Sequence, residues 1–218
     1  MARPFDVMNE LAPDAAERRP AAISALYEAF SECSIPETLS YCTYCDHGEY
    51  ERALHAPLGA LPRELMNKYL ADAIHHTGSA QDFSYFVPRI LELEHEATLD
   101  WFWVLPDRLT MAGWGEWSDR RRAAVCRALE SAARASARSD AWLDTVARVN
   151  GVDWSAIFPR LPGLDEPQLG QSEWLCVAIL RRAVTDGHSA LDRALSDWLD
   201  SPEGARFAEA FLVRHGWA

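Results

Sequence analysis

The stretch from Asp82 to Leu93 reads DFSYFVPRILEL, and its apolar residues recur at the spacing of one helix face. The residues of this stripe are Phe83, Phe86, Val87, Ile90 and Leu91. Asp82 is the predicted N-cap, because a short acidic side chain can accept a hydrogen bond from the first turn. Pro88 lies too deep in this helix to be accommodated freely, so a kink, or a break into a new helix at Arg89, is predicted.

The same helical spacing recurs outward from this stretch in both directions. Ile23, Leu26, Tyr27 and Phe30 form one stripe, and a second runs over 65–73, between Pro62 as a first-turn residue and Gly78 as a stop. No stretch alternates apolar and polar residues as a half-buried strand does. The predicted fold is therefore all-α, an irregular multi-helix bundle of stacked helical hairpins. Further helices are predicted at about 118–137, 140–149, 172–185, 189–199 and 202–215.

Proline and glycine clusters interrupt the helical pattern, notably at 105–115 and 159–170. About fifty residues follow the second cluster, which is a small number for an independent core. The chain is therefore predicted to be a single domain, 1–218, with a soft break at 159–170.

Charge is distributed unevenly along the chain. The net charge is −12, and residues 1–100 carry 17 acidic against 7 basic side chains, a net of −10. This balance argues against a nucleic-acid binder; it is typical of a solvated surface, and the alternative is a docking surface for a basic partner. The longest charge-free and proline-free apolar run is seven residues, 174–180, so no membrane span is expected. The N-terminus lacks a secretory pattern, and we expect a cytoplasmic protein.

Two cysteines at CxxC spacing, Cys42 and Cys45, are followed closely by His47. Thiolates at this spacing can share a tetrahedral zinc ion, and Cys33 or His47 could supply further ligands. A structural zinc site usually has a second paired set of ligands, and Cys126 and Cys176 stand alone. Packed, reduced cysteines are the favoured interpretation, and the zinc site is an alternative.

No catalytic constellation is apparent. The chain has no Gly-x-Ser-x-Gly elbow, no phosphate-binding glycine loop and no dinucleotide fingerprint. We therefore predict no catalytic residues, no resident metal or cofactor, and no enzymatic activity.

Tryptophan is abundant, with nine residues, and several crowd the segment after Asp100. Packing in the core beneath a loop is one interpretation of these rings, and an exposed aromatic patch beside acidic side chains, which suits a protein interface, is the other. Helical projection places Glu92 away from the apolar stripe and Glu94 within it, where pairing with Arg89 or a remote arginine is predicted. The predicted partner-binding set is Glu92, Glu96, Asp100, Trp101, Trp103 and Trp117.

The motifs at 42–45, 61–65 and 82–93 together resemble a family of small bacterial helical proteins with a CxxC … DFxxFxPRxLEL core. Some proteins of this kind act as immunity proteins in contact-dependent growth inhibition and polymorphic toxin systems. The resemblance covers residues 40 to 95 and implies no catalytic residue.

The sequence and the resemblance together favour an immunity protein that binds a cognate toxin and covers its active site. The expected toxin is a basic nuclease domain, whose phosphate-binding positions would be occupied by carboxylates. Two alternatives are a zinc-stabilised scaffold or metal-dependent enzyme centred on Cys42 and Cys45, and a regulatory adaptor for another basic protein.

Overall fold

The computed structural model describes residues 20–40, 42, 50, 56–135, 139–157 and 190–214. These residues form helices joined by turns, and no strand occurs among them. The all-α, multi-helix prediction is confirmed. The cluster at 159–170 and the helix predicted at 172–185 lie outside the described residues.

Most of the described helices lie where the sequence predicts one, whereas those at Leu105–Met111 and Trp154–Ile157 were not predicted. Shorter 3-10 turns cover Leu58–Ala60, Phe102–Val104 and Trp114–Glu116. Within the described part of the chain, no helix has both the length and the apolar character that crossing a membrane requires. The helices are α1 (Ala21–Ala29), α2 (Arg63–Asp72), α3 (Ala80–Glu96), α4 (Leu105–Met111), α5 (Asp119–Ala135), α6 (Asp140–Ala147), α7 (Trp154–Ile157), α8 (Ala190–Asp200) and α9 (Pro202–Arg214).

The chain divides into two compact units, residues 1–129 and residues 130–218, with the division inside α5. The soft break predicted at 159–170 does not coincide with it. The single-domain organisation stays a prediction.

Helix α3 is the central helix of the first unit and packs against both α1 and α2. It begins with a capping box, in which the Ser79 side chain accepts from the Asp82 amide and the Asp82 carboxylate accepts from the Ser79 amide. Asp82 is thus the third helical residue, and the N-cap is Ser79. Almost every residue from Phe83 to Glu94 is buried.

The break predicted at Arg89 is wrong, because α3 continues through Pro88 to Glu96. A proline in a helix interior costs about 3 kcal/mol through a lost hydrogen bond and a steric clash. Here α3 is covered on most of its circumference, so its apolar burial outweighs that cost.

Two other boundaries differ from the sequence prediction. Helix α2 ends at Asp72, and a tight turn precedes Gly78, which adopts a left-handed conformation with φ +70°. The predicted interruption at 105–115 contains helix α4, which has Pro106 in its first turn, where a proline is tolerated.

The second unit is built around α8, which contacts α6, α7 and α9. Its apolar stripe of Leu191, Leu195, Trp198 and Leu199 is buried. At the start of α6, the Ser139 side chain accepts a hydrogen bond from the Trp142 amide and so caps the helix.

Candidate functional site

Four residues of the predicted partner-binding set lie on one exposed segment of the first unit. Trp101 is 43% exposed and Trp103 53%, and their ring centroids are 5.8 Å apart with a tilt of 40°. Glu96 and Asp100, which precede them, are exposed. Exposed tryptophans beside carboxylates combine the anchor and the charge of a protein interface. We call this region, with Asp107 and Met111 described below, the tryptophan surface.

The local sequence explains why these two rings face solvent. In the 3-10 turn, Phe102 and Val104 are buried, whereas Trp101 and Trp103 on either side of Phe102 are exposed. The turn thus keeps its smaller apolar side chains in the core and leaves its largest ones outside. Burying both indoles would be favourable, so their exposure in the isolated chain marks a surface suited to a partner.

Asn67 of α2 fixes the start of this turn. Its amide nitrogen donates to Asp100 Oδ2 at 2.9 Å, and its amide oxygen accepts from the Trp101 backbone N–H at 3.1 Å. One side chain therefore positions an acidic residue and a tryptophan of the surface together.

Arg63, one helical turn before Asn67, holds the preceding segment. Its guanidinium donates to the carbonyls of Leu93 at 2.6 Å and Ala97 at 2.8 Å, at the C-terminal end of α3. A cation at this end of a helix satisfies free carbonyls and complements the helix dipole. Glu96 lies 3.9 Å from the same guanidinium, with 60% of its side chain exposed.

Glu94 supplies a third clamp from inside the core. It is fully buried, as its place in the apolar stripe predicts, and its carboxylate accepts from the Leu99 backbone N–H at 2.7 Å. Arg89, one of its predicted partners, instead donates to Glu92 at 2.7 Å. Segment 97–101 is thus held by three side chains, which lowers the ordering cost of binding through it.

Helix α4 extends the surface beyond the turn. Asp107 and Met111 lie four residues apart within α4, which places them on one face of that helix, and both are exposed. Arg108 fastens α4 to the C-terminal end of α2 by donating to the carbonyls of Leu70, at 3.2 Å, and Ala71. Burial lowers the pKa of Arg108, and Asp107 and Asp72 act in the opposite direction.

Glu92 does not belong to this surface, although the sequence placed it there. It is buried, and its carboxylate accepts from the Tyr27 hydroxyl at 2.6 Å and from Arg89 at 2.7 Å. The helical projection treated α3 as exposed on its polar side, but α1 packs against α3 and brings Tyr27 to Glu92. Glu92 thus joins two helices within the core.

Trp117 is the second correction. It is only 9% exposed, contacts the Phe30 ring edge-on at 5.4 Å, and donates its indole N–H to the Ala112 carbonyl at 3.0 Å. The Trp117 ring therefore packs against the end of α1, and its indole N–H has a hydrogen-bond acceptor in the turn that follows α4.

Sequence reasoning missed Arg63, Asn67, Asp107 and Met111. The spacing of four residues between Arg63 and Asn67 on α2, and between Asp107 and Met111 on α4, is the signal by which they could have been found.

Replacing Glu94 by alanine tests the internal clamp. We expect a loss of about 2 kcal/mol in the free energy of unfolding, because the buried Leu99 N–H loses its side-chain acceptor and a space is left in the core. Urea denaturation measures the loss, and hydrogen exchange at the Leu99 amide should become faster. Glu96→Ala, on an exposed side chain of the same helix, should change stability by less than about 0.5 kcal/mol. Equal effects of the two substitutions would contradict the clamp.

The zinc alternative depends on residues of which only one is described. The Cys42 backbone N–H donates to the His76 carbonyl at 2.9 Å, whereas Cys45 and His47 lie outside the described residues. Among the described residues, no group of three or more histidine, cysteine or acidic side chains is arranged to hold a metal ion. The alternative stays a prediction, which metal analysis of the purified protein can test.

A cleft of about 1080 Å³ lies in the second unit, between the segment that follows α6 and helices α8 and α9. Its charged lining combines arginines 148, 193 and 206 with the carboxylates of residues 153, 197 and 203. Because the formal charges balance, the lining does not select a ligand of one sign. The cleft is therefore a weaker functional candidate than the tryptophan surface.

Comparisons with known proteins add no assignment to this geometry. No family model matches the chain, and neither the curated proteins nor the solved structures gave a significant match.

Proposed function

We propose that the protein works by binding a basic protein partner through the tryptophan surface. The observation that carries the proposal is the pair of exposed indoles, Trp101 and Trp103, on a turn held by Asn67, Arg63 and Glu94. Large aromatic side chains that are already fixed in place lose little conformational freedom on binding, which is a property of interface anchors. The exposed carboxylates around them favour a partner of opposite charge.

The partner proposed here is a toxin with a basic, nuclease-like active site, and the protein is its cytoplasmic immunity protein. The net charge of −10 over residues 1–100 and the resemblance over residues 40 to 95 support this identity. Carboxylates of the tryptophan surface would take the positions of substrate phosphates, and the indoles would supply desolvated contact area. Inhibition is then occlusion of the active site.

Growth rescue tests the toxin assignment. The proposed toxin is the C-terminal domain of the protein encoded by the neighbouring reading frame. This domain is expressed in a bacterial host, alone and together with the protein described here. We expect growth arrest with the domain alone and restored growth with both proteins. Arrest that persists when both proteins are present and soluble would overturn the assignment. Tight binding to a basic protein without growth rescue would favour the regulatory adaptor.

The acidic surface also predicts salt-dependent association. Raising the salt concentration from about 0.02 M to about 0.5 M should slow association about tenfold, because screening weakens electrostatic steering. Dissociation should change much less, since the indoles lie in the desolvated part of the contact. Stopped-flow mixing measures the first rate and displacement by excess competitor the second. An association rate independent of salt would contradict electrostatic docking.

A further inference from the structure

We infer that the outer face of the Trp101 indole, beside the Asp100 carboxylate, holds an arginine side chain of the partner. This inference rests on the proposed function, because it names the chemical group that the tryptophan surface recognises. It goes beyond that function by assigning one cation to one aromatic face.

The geometry of the two indoles decides where a cation can lie. A planar cation held between two parallel rings needs the rings about 7 Å apart, twice the contact distance of carbon atoms. The centroids of Trp101 and Trp103 are 5.8 Å apart and the rings are tilted by 40°, so the space between them is too narrow. A cation must therefore stack on an outward face. Trp101 is 43% exposed, which leaves indole surface accessible for such a contact.

Asp100, the residue immediately before Trp101, is exposed and supplies the negative charge. Its Oδ2 accepts from Asn67 at 2.9 Å, and a carboxylate has about four acceptor sites on its two oxygens, so acceptor capacity remains. Asn67 also accepts from the Trp101 backbone N–H, so one side chain ties the Asp100 carboxylate to the main chain that carries the indole. A guanidinium is planar and carries its N–H groups in a fork, so it can stack on the ring while donating to the carboxylate. The ammonium of lysine is a compact point charge without this planar fork.

Three short peptides test the inference on the full-length protein. The probes are acetyl-Gly-Arg-Gly-amide and its counterparts with citrulline, which is neutral and similar in shape, and with lysine. Titration to tens of millimolar is followed by the NMR signals of the tryptophan indole N–H groups. We expect the arginine peptide to shift the Trp101 signal and to bind about fivefold more tightly than the citrulline peptide. Equal binding of arginine and citrulline, equal binding of arginine and lysine, or no binding overturns the inference.

Variants assign the contact to its residues. Trp101→Leu should abolish the selective binding of the arginine peptide. Asp100→Asn keeps an acceptor for Asn67 but removes the charge. It should weaken binding of the arginine peptide about threefold and leave binding of the citrulline peptide unchanged. Glu37→Gln removes one exposed charge elsewhere in the first unit and serves as the charge-matched control, with unchanged binding expected. If Asp100→Asn and Glu37→Gln lose the same amount of affinity for the arginine peptide, the effect depends only on net charge and the inference is overturned.

The two proposals fail in different ways. Growth rescue together with equal arginine and citrulline binding removes the arginine assignment and leaves the immunity function intact. Selective arginine binding without growth rescue supports the cation site and removes the toxin as the partner.

Discussion

Replacing Trp101 and Trp103 together by alanine should weaken binding of the partner about a thousandfold, which corresponds to about 4 kcal/mol. Each ring is expected to contribute about 2 kcal/mol, the size of an interface hot spot, because each is large and exposed in the free chain. The free energy of unfolding should also fall, by about 3 kcal/mol, because about half of each side chain is buried, so affinity is measured under conditions in which the variant is folded. Calorimetric titration against the neighbouring-frame domain and urea denaturation measure the two quantities.

Trp117 provides the matched control for this experiment. Trp117→Phe removes the indole N–H that donates to Ala112 and part of the buried ring, so it should lower stability by about 1 to 2 kcal/mol. Partner affinity of the folded protein should not change. A double alanine variant that binds like the unsubstituted protein, or a Trp117→Phe variant that loses affinity, would remove the tryptophan surface as the docking site.

The helical fold follows from local periodicity. The stripe of Ile23, Leu26, Tyr27 and Phe30 is buried, and α1 occupies the part of the chain where that stripe predicts a helix. Periodicity has this power because burial of one face stabilises a helix more than the propensities of single residues do.

Helix boundaries were predicted less well, because capping depends on geometry that spacing alone does not contain. Asp82 and Ser79 are both good N-cap residues, and the capping box uses one as the cap and the other three positions later. Gly78 lies in a left-handed turn, but α2 has already ended at Asp72. In both cases the residue type indicated that a helix begins or ends nearby, but it did not indicate at which residue.

Burial of polar residues was the main limit at the candidate site. A helical projection separates apolar from polar faces, and it places Glu94 inside and Glu92 outside. Both are buried, since α3 is surrounded by other elements and Tyr27 and Arg89 reach Glu92. Which polar face is covered depends on long-range packing, which one sequence does not reveal.

The burial of the tryptophans was equally difficult to predict from the sequence. Trp101, Trp103 and Trp117 are alike in type and lie close together in sequence, yet only Trp117 is buried. In the turn Phe102–Val104 it is Phe102 and Val104 that take the core positions, whereas Trp117 follows a different turn and packs on Phe30. Composition could therefore indicate an aromatic surface but could not select its members.

Replacing Gly204 by alanine should destabilise the second unit by about 3 kcal/mol. Gly204 lies in the first turn of α9, and a Cβ atom there would overlap the Trp198 carbonyl oxygen and lie 2.7 Å from its carbon. Ser201 holds this crossing together: its amide and hydroxyl donate to the Trp198 carbonyl at 3.0 and 2.6 Å, and its hydroxyl accepts from the Gly204 amide at 3.1 Å. The backbones therefore cannot separate without losing these bonds.

The direction of this effect distinguishes packing from helix propensity. Alanine is the better helix former by about 1 kcal/mol, so propensity alone predicts that Gly204→Ala stabilises α9. The expected loss arises only because α8 and α9 approach too closely to admit a methyl group. Gly115→Ala is the control, since a Cβ at that position meets no atom within 4 Å and should change stability by less than about 0.5 kcal/mol. Urea denaturation of both variants measures the difference, and a Gly204→Ala protein as stable as Gly115→Ala would show that the crossing between α8 and α9 is looser than the structure describes.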